Sequence, residues 1–462
     1  THRFGAVREI GAGRRDRERP DRQPVSPAEV LWYRGLLARA FFDSPRGAEE
    51  FAYIPDDLLA LLPSRPAGQT RPCGRPATPE ERQNPRSSEG ELLEHVCTFL
   101  AARRIGLDAP PLPDDRLIPF LASLLTEMGI LSSSGHIQPE ATRRHLEQPR
   151  PEALAELAQT WLHSAQHNDL RLMPGLICEG EWQNDPLLAR QFIVEQIGAL
   201  EADTWWSLPA FIADVRDRYP DFQRPAGDFD SWFIRRAGSD EFLRGIEHWE
   251  AIEGALLRYL ITVPLFYLGF VEVAQQAFRR SAFWEALLNG QPPPLAEREK
   301  ARLHLRSDGQ LSAPTGTPRA ARYQAARFCE WLEPTQHEYR YQLSARSLER
   351  AAQQGLTAGH LITLLQHHAE SIPPNILQAL KRWQSQGAAA RLKRLPVLQV
   401  ASPEVLTALR RSRAARFLGP ALGPTAVSVQ PGAEEKVLAI LLEIGYLGRL
   451  EDLSAEESHT PS

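Results

Sequence analysis

The chain has 462 residues, 42% of them hydrophobic and 24% charged, which is enough for roughly two to four domains with buried cores. A net charge of -5 and a pI near 6.3 exclude a chain that is basic along its whole length, while leaving room for a local basic face. Lysine occurs only at 300, 381, 393 and 436, so arginine carries almost all of the positive charge, as codon bias in a GC-rich genome would produce.

The first residue is Thr, which points to a processed chain or a piece of a longer one. Cys73, Cys97, Cys178 and Cys329 form no CxxC and fit buried free thiols in a reducing compartment. The longest apolar stretch, 259–271, is broken by Pro264 and is shorter than the roughly 20 residues that a bilayer requires. The polar, Arg-rich start carries no secretory signal, so no membrane partner and a cytoplasmic location are expected.

In chain order, residues 1–26 are charged and punctuated by Pro and Gly, and read as disordered or as the edge of a missing domain. Residues 27–62 read as a helical N-terminal segment, with Pro27 in the first turn and Leu31, Leu36, Leu37, Phe41 and Phe42 on one face. Residues 63–90 are rich in Pro, Gly, Ser and Arg and read as a linker. Over 91–170 two apolar-striped helices lead to Met128-Gly129-Ile130-Leu131, a polar turn at 132–135 and Ile137; a helix at 151–164 follows. That is the grammar of a winged-helix-like domain.

The same grammar returns over 171–319, with striped helices around Ile193, Phe211 and Leu256, then Leu268-Gly269-Phe270-Val271 and the turn Ser307-Asp308-Gly309. A glycine that merely caps a helix gives the same local pattern. Trp205, Trp206, Phe222, Phe229, Trp232, Phe233 and Trp249, interleaved with Asp228, Asp230, Arg235 and Arg236, read either as the core of an insertion or as a base-stacking surface.

Residues 320–450 mix strands and helices. Tyr339, Tyr341 and Leu343 alternate as in a strand; Ser344 and Thr357 are helix caps; Pro373 and Pro374 open a third helix. Strands at 396–400 and 426–429 flank a helix capped by Ser402, and 434–444 is the closing helix. Residues 451–462 form an acidic tail. The expected fold is mainly α with α+β: tandem winged-helix-like units followed by a small C-terminal α/β domain.

No Gly-x-x-x-x-Gly-Lys-Ser/Thr loop, no Asp-Glu box behind a Val/Ile strand, no His-Glu-x-x-His and no Gly-x-Ser-x-Gly elbow occurs. A helicase motor, a catalytic residue, a cofactor and a metal site are therefore not expected. His163 and His167, one turn apart, read as surface or capping residues, and His360, His367 and His368 as a solvated helix edge. The remaining signal is basic. Lys381, Arg382, Arg391, Lys393, Arg394, Arg410, Arg411, Arg413 and Arg416 face a single acid, Glu404, within 381–416. Such a concentration suits nucleic-acid phosphates, since neutralising them releases counterions. The plainer reading is a solvated face paired with the acids of 434–457, among them Glu434, Glu435 and Glu443.

The segments FDSWFIRR at 229–236, EGALLRYLITVPLFYLGFVEVA at 253–274 and RLHLRSDGQLSAP at 302–314 resemble bacterial helicase-associated proteins. YRYQLSARSLERAAQQGLTAGHLITLLQHHA at 339–369, PPNILQALKRW at 373–383 and RLKRLPVLQVASPEVLTAL at 391–409 resemble the amino-terminal region of XPB-type DNA-repair helicases. The resemblance spans about 185–450, with a weaker likeness over 31–63. It implies winged-helix-like units and a small domain that abuts DNA or docks a motor on a separate polypeptide, and it brings no catalytic residue with it. The expected function is non-catalytic DNA binding in helicase-associated repair or remodelling. A protein-interaction scaffold is the alternative, and an enzyme of another kind is the third reading.

Overall fold

The computed structural model describes residues 7–8, 10–44, 47–59, 72–107, 109–225, 227–296, 299–335, 337–388, 390 and 395–450. The chain falls into two compact units, Thr1–Lys381 and Arg382–Ser462, divided inside the helix Pro374–Gln386. The class is mainly α with α+β: small sheets, antiparallel in every described ladder, are set among many helices. Among the described residues no helix is long and apolar enough to cross a membrane.

The first unit is built around the helix Glu91–Arg104. It begins after Gly90, whose φ of +80° favours glycine and where a Cβ would stand 2.7 Å from the Leu295 side chain. Glu91 and Glu94 in its first turn and Arg103 and Arg104 in its last complement the helix dipole. Leu92, Leu93, Val96, Phe99 and Leu100 are buried, and so is Glu94. Glu94 takes Arg150 at 2.7 Å and Arg322 at 3.2 Å, which ties this helix to Arg150–His163 and Arg319–Phe328. At 319/320, the expected boundary, Arg319 is fully buried, and the strand Glu338–Gln342 pairs with Gln310–Pro314 across that point.

Two expectations give way. The described part of 1–26 is folded: a short helix, Ala12–Glu18, is followed by Pro27–Tyr33, which Ser26 caps. Arg8 reaches Glu29 at 2.7 Å and holds that buried carboxyl near 2. The helical face expected as far as Phe42 stops at Gly35, whose φ is +70°; 38–44 is instead a strand paired with 47–53. The short hairpin expected after the second helix is present, as the antiparallel bridge Leu131 to Ile137, and a helix not foreseen, Pro139–Glu147, follows at once.

The stretch 186–280 forms a small sheet set among helices. Helix Pro186–Gly198, strand Trp206–Ser207, helix Leu208–Arg218, a long helical stretch and strands Val271–Val273 and Ala277–Arg280 follow in order. The first strand pairs with the third, so Val271–Val273 and Trp206–Ser207 are the sheet edges. The long helical stretch contains π-helical turns at Glu250–Gly254 and Ile261–Leu265 around Ala255–Leu260. Pro264 lies in the second, where a missing N–H is tolerated.

Residues 72–90, expected as linker, complete this sheet. Pro76 bridges to Trp206 on one edge and Arg86 to Val273 on the other. The amides of Gln275 and Gln276, in the hairpin turn, donate to the carbonyls of Gln83 and Glu81. The Glu81 carboxylate accepts from Arg75 at 2.9 Å and from the Ser207 hydroxyl at 2.7 Å, and the guanidinium holds it near 2. One segment thus closes both margins of the three-stranded sheet.

The second unit carries a three-stranded antiparallel sheet with Ala426–Val429 between Val397–Gln399 and Leu418–Ala421. Helices Pro403–Arg411 and Glu434–Glu443 cover it. Leu409, Ala414, Val429, Val437, Ile440 and Leu441 form its core, with Leu398, Phe417 and Leu418 packed against them.

Candidate nucleic-acid interface

The basic residues begin on the helix Pro374–Gln386, where Lys381 and Arg382 are exposed. Arg391, Lys393 and Arg394 lie outside the described residues. The other four belong to the second unit. Leu406 and Leu409 anchor the helix Pro403–Arg411 in the core, which leaves Arg410 and Arg411 exposed in its last turn. There they complement the carboxyl-terminal dipole, as Glu404 does in the first turn. Among the described residues no carboxylate pairs with either arginine within 4.0 Å.

Ser412 breaks the helix: its hydroxyl accepts from the Ala414 amide and opens the 3-10 turn Arg413–Phe417. In such a turn residues three apart align, so Arg413 and Arg416 share a side. Their surroundings differ. Arg413 is tied to Glu443, one of the acids raised from the sequence as a competing partner. Arg416 lies over the Phe417 ring with its guanidinium carbon 4.6 Å from the centroid. Lys436, not foreseen as part of the site, brings its ammonium to 6.0 Å from the same ring. The structure thus gathers Arg416 and Lys436 around one aromatic residue, leaves Arg410 and Arg411 open to solvent, and neutralises Arg413.

The turn Ser307-Asp308-Gly309, expected as the wing of the second unit, lies between His304–Leu305 and Gln310–Pro314, with Ser307 and Asp308 exposed; the long helix offers less. Between 252 and 271 only Arg258 is exposed, and the sheet is closed on both edges as described above. The aromatic cluster is mostly core: Trp206, Phe229, Trp232 and Trp249 are buried, while Phe233 is 41% exposed. Trp182 and Trp232 stack at 4.8 Å, with Arg171 4.4 Å from the first ring and Arg224 4.1 Å from the second. Arg224 is held in turn by Glu253 at 2.5 Å, and no ring face in that stack is left for a base.

The histidines fall differently from expectation as well. His163 hydrogen-bonds the Gln159 carbonyl on a helix surface, but His167 is fully buried, 3.4 Å from Asp169. Among the described residues no cluster of three or more His, Cys, Asp or Glu is placed to hold a metal ion.

Residues 303–421 match the family described as helicase conserved C-terminal domain. The chain carries a helicase-associated C-terminal domain. The matched span runs from the end of the first unit into the second and includes all nine candidate basic residues. Among curated proteins none matches the chain.

Proposed function

We propose that this is a non-catalytic, cytoplasmic, helicase-associated protein that binds the phosphate backbone of DNA through the basic part of its helicase-associated domain. The observation that carries the reading is the pair Arg410 and Arg411, exposed at a helix end with no carboxylate partner among the described residues. Arg416 and Lys436, held beside Phe417, extend the positive face of the same unit. The likeness of 339–409 to the amino-terminal region of XPB-type helicases supports a role beside a motor carried on another polypeptide. The winged-helix-like repeat acts here as a packed structural module, because its long helix and its sheet edges are covered. Contact is therefore to phosphates, with little sequence preference.

The test is duplex binding measured against salt. Affinity measurable at about 50 mM salt should fall steeply as salt rises, and replacing both Arg410 and Arg411 by Glu should flatten the log–log slope by about 2. A slope unchanged by the double replacement refutes the assignment of those residues.

The covered helix and closed sheet favour a second reading, a scaffold whose partners are proteins. Exposed Leu442, Leu447 and Leu450 on the second unit give it an apolar surface to offer. A partner that co-purifies undiminished after nuclease treatment, together with no duplex binding at low salt, decides for the scaffold.

A further inference from the structure

A cleft in the first unit lies outside the basic segment 381–416. A cleft of about 360 Å³ opens between the helices Pro139–Glu147, Arg319–Phe328 and Ala358–His368, beside the end of Glu91–Arg104. Its size is that of a small-molecule site. One wall is apolar, from Ile137, Leu146 and Leu364. The polar groups divide by depth. Glu140, Arg143 and Glu147 are exposed at the rim, and there Glu140 already pairs with Arg143 at 2.8 Å. Deeper in are Arg104, Arg327, Tyr323 and Thr142.

The deep groups are short of negative charge. Arg327 is only 7% exposed, yet its partners are two neutral amides, Gln324 at 2.8 Å and Gln354 at 3.3 Å. Arg104 has no carboxylate partner among the described residues and lies close enough to Arg327 to help depress that guanidinium's proton affinity, although burial contributes more. A buried guanidinium beside another cation and with no carboxylate bonded to it is costly to keep. Thr142 is 2% exposed and lines the same cleft, and its hydroxyl has no hydrogen-bond partner. A buried hydroxyl without a partner calls for a ligand atom or a water.

We propose that this cleft is an anion site that binds a phosphate group, gripped by Arg104 and Arg327 with the Thr142 hydroxyl as a further donor. Two guanidiniums offer the forked, charge-assisted bonds that phosphate oxygens accept, and the apolar wall gives the body of a small phosphorylated molecule somewhere to lie. A phosphate of a nucleic-acid strand presents the same chemistry. The site stands apart from the C-terminal reading and survives its failure.

Thermal unfolding and calorimetric titration of the full chain with inorganic phosphate test this, with chloride at equal ionic strength as the reference. Phosphate should raise the unfolding midpoint saturably where chloride does not. Arg104→Gln should weaken phosphate binding by about tenfold or more, and without phosphate it should unfold no earlier than the parent, because a repulsion has gone. Thr142→Val should weaken binding severalfold, and it carries the test should Arg104→Gln fail to fold. The Arg410→Glu, Arg411→Glu protein should bind phosphate as the parent does, which separates this site from the C-terminal one. Adenosine monophosphate binding more tightly than phosphate assigns the ligand to a small phosphorylated molecule; a duplex that displaces phosphate assigns it to a nucleic-acid strand. Equal effects of phosphate and chloride, or undiminished binding by Arg104→Gln, overturn the proposal.

Discussion

Arg190 and Asp169 show what a buried charge demands. The guanidinium is 1% exposed and is met by Asp169 at 2.7 Å and by the carbonyls of Trp161, Ser164 and His167. Against the penalty of burial, Arg190 and neighbouring His167 hold the Asp169 carboxyl far below the usual range. Asp169→Asn leaves Arg190 buried with no counter-charge, and a loss of about 3–5 kcal/mol is expected from urea melts. Arg413 is the contrast. Its pairing with Glu443 is exposed on both sides, so Arg413→Ala should shift stability by less than about 1 kcal/mol.

Two histidines set the response to acid. Burial, reinforced by nearby Arg319, lowers His145 to about 3, and burial with Arg322 lowers His95 to about 4. In the unfolded chain both titrate near 6.5. Between about 4 and 6.5 the unfolded state therefore binds protons that the folded state refuses, and stability rises with pH across that window. Denaturant melts should show the full contribution above about pH 6.5 and a loss of up to about 2.7 kcal/mol per unit as pH falls toward 4. His145→Leu should roughly halve that slope. The carboxylates that hold low values, Glu29 and Glu81, add their own loss only further down, as pH falls toward about 2.

Among the elements, those closed by local chemistry were legible in the sequence. Ser344 and Ser347 cap one another's backbone at the start of Ala345–Gln353, Thr357 opens Ala358–His368, and Pro374 begins Pro374–Gln386. The strands near 397 and 426 and the closing helix follow from runs of apolar residues between turns. The helix Pro139–Glu147 escaped notice because its buried residues, Thr142, His145 and Leu146, give almost no apolar stripe. The role of 72–90 escaped for a different reason: Pro76 and Arg86 meet strands far along the chain through backbone groups, which leave no side-chain signature. Glu81 is the strongest side-chain tie in that arrangement, and Glu81→Ala should cost about 1–3 kcal/mol. Hydrogen exchange should localise the effect, with the Ser207, Val273 and Gln275 amides losing protection while the core of Glu91–Arg104 keeps it.

For the whole molecule, composition allowed several domains, and punctuation by Pro and Gly suggested where they divide. Contacts run across 320, because Arg322 meets Glu94 and Thr98 and the Cys97 thiol donates to the Arg319 carbonyl. Of the candidate interface, the location of the arginines and the acids that could compete for them were legible, and which arginine takes one was not: Arg413 is spent on Glu443, whereas Arg410 and Arg411 are not so spent. Side-chain partners of that kind depend on which helices pack together, which a run of like charges does not encode.

The segment closing the sheet around 206–280 is made early in translation and needs partners made much later. Until then its backbone donors and acceptors have only water, and the growing chain must keep it from straying. A version beginning at residue 91 would be born with both rims of that sheet bare, ready to seize a rim on another molecule. It should sediment as larger species than the longer chain does at the same concentration, and adding residues 72–90 back as a peptide should reverse this.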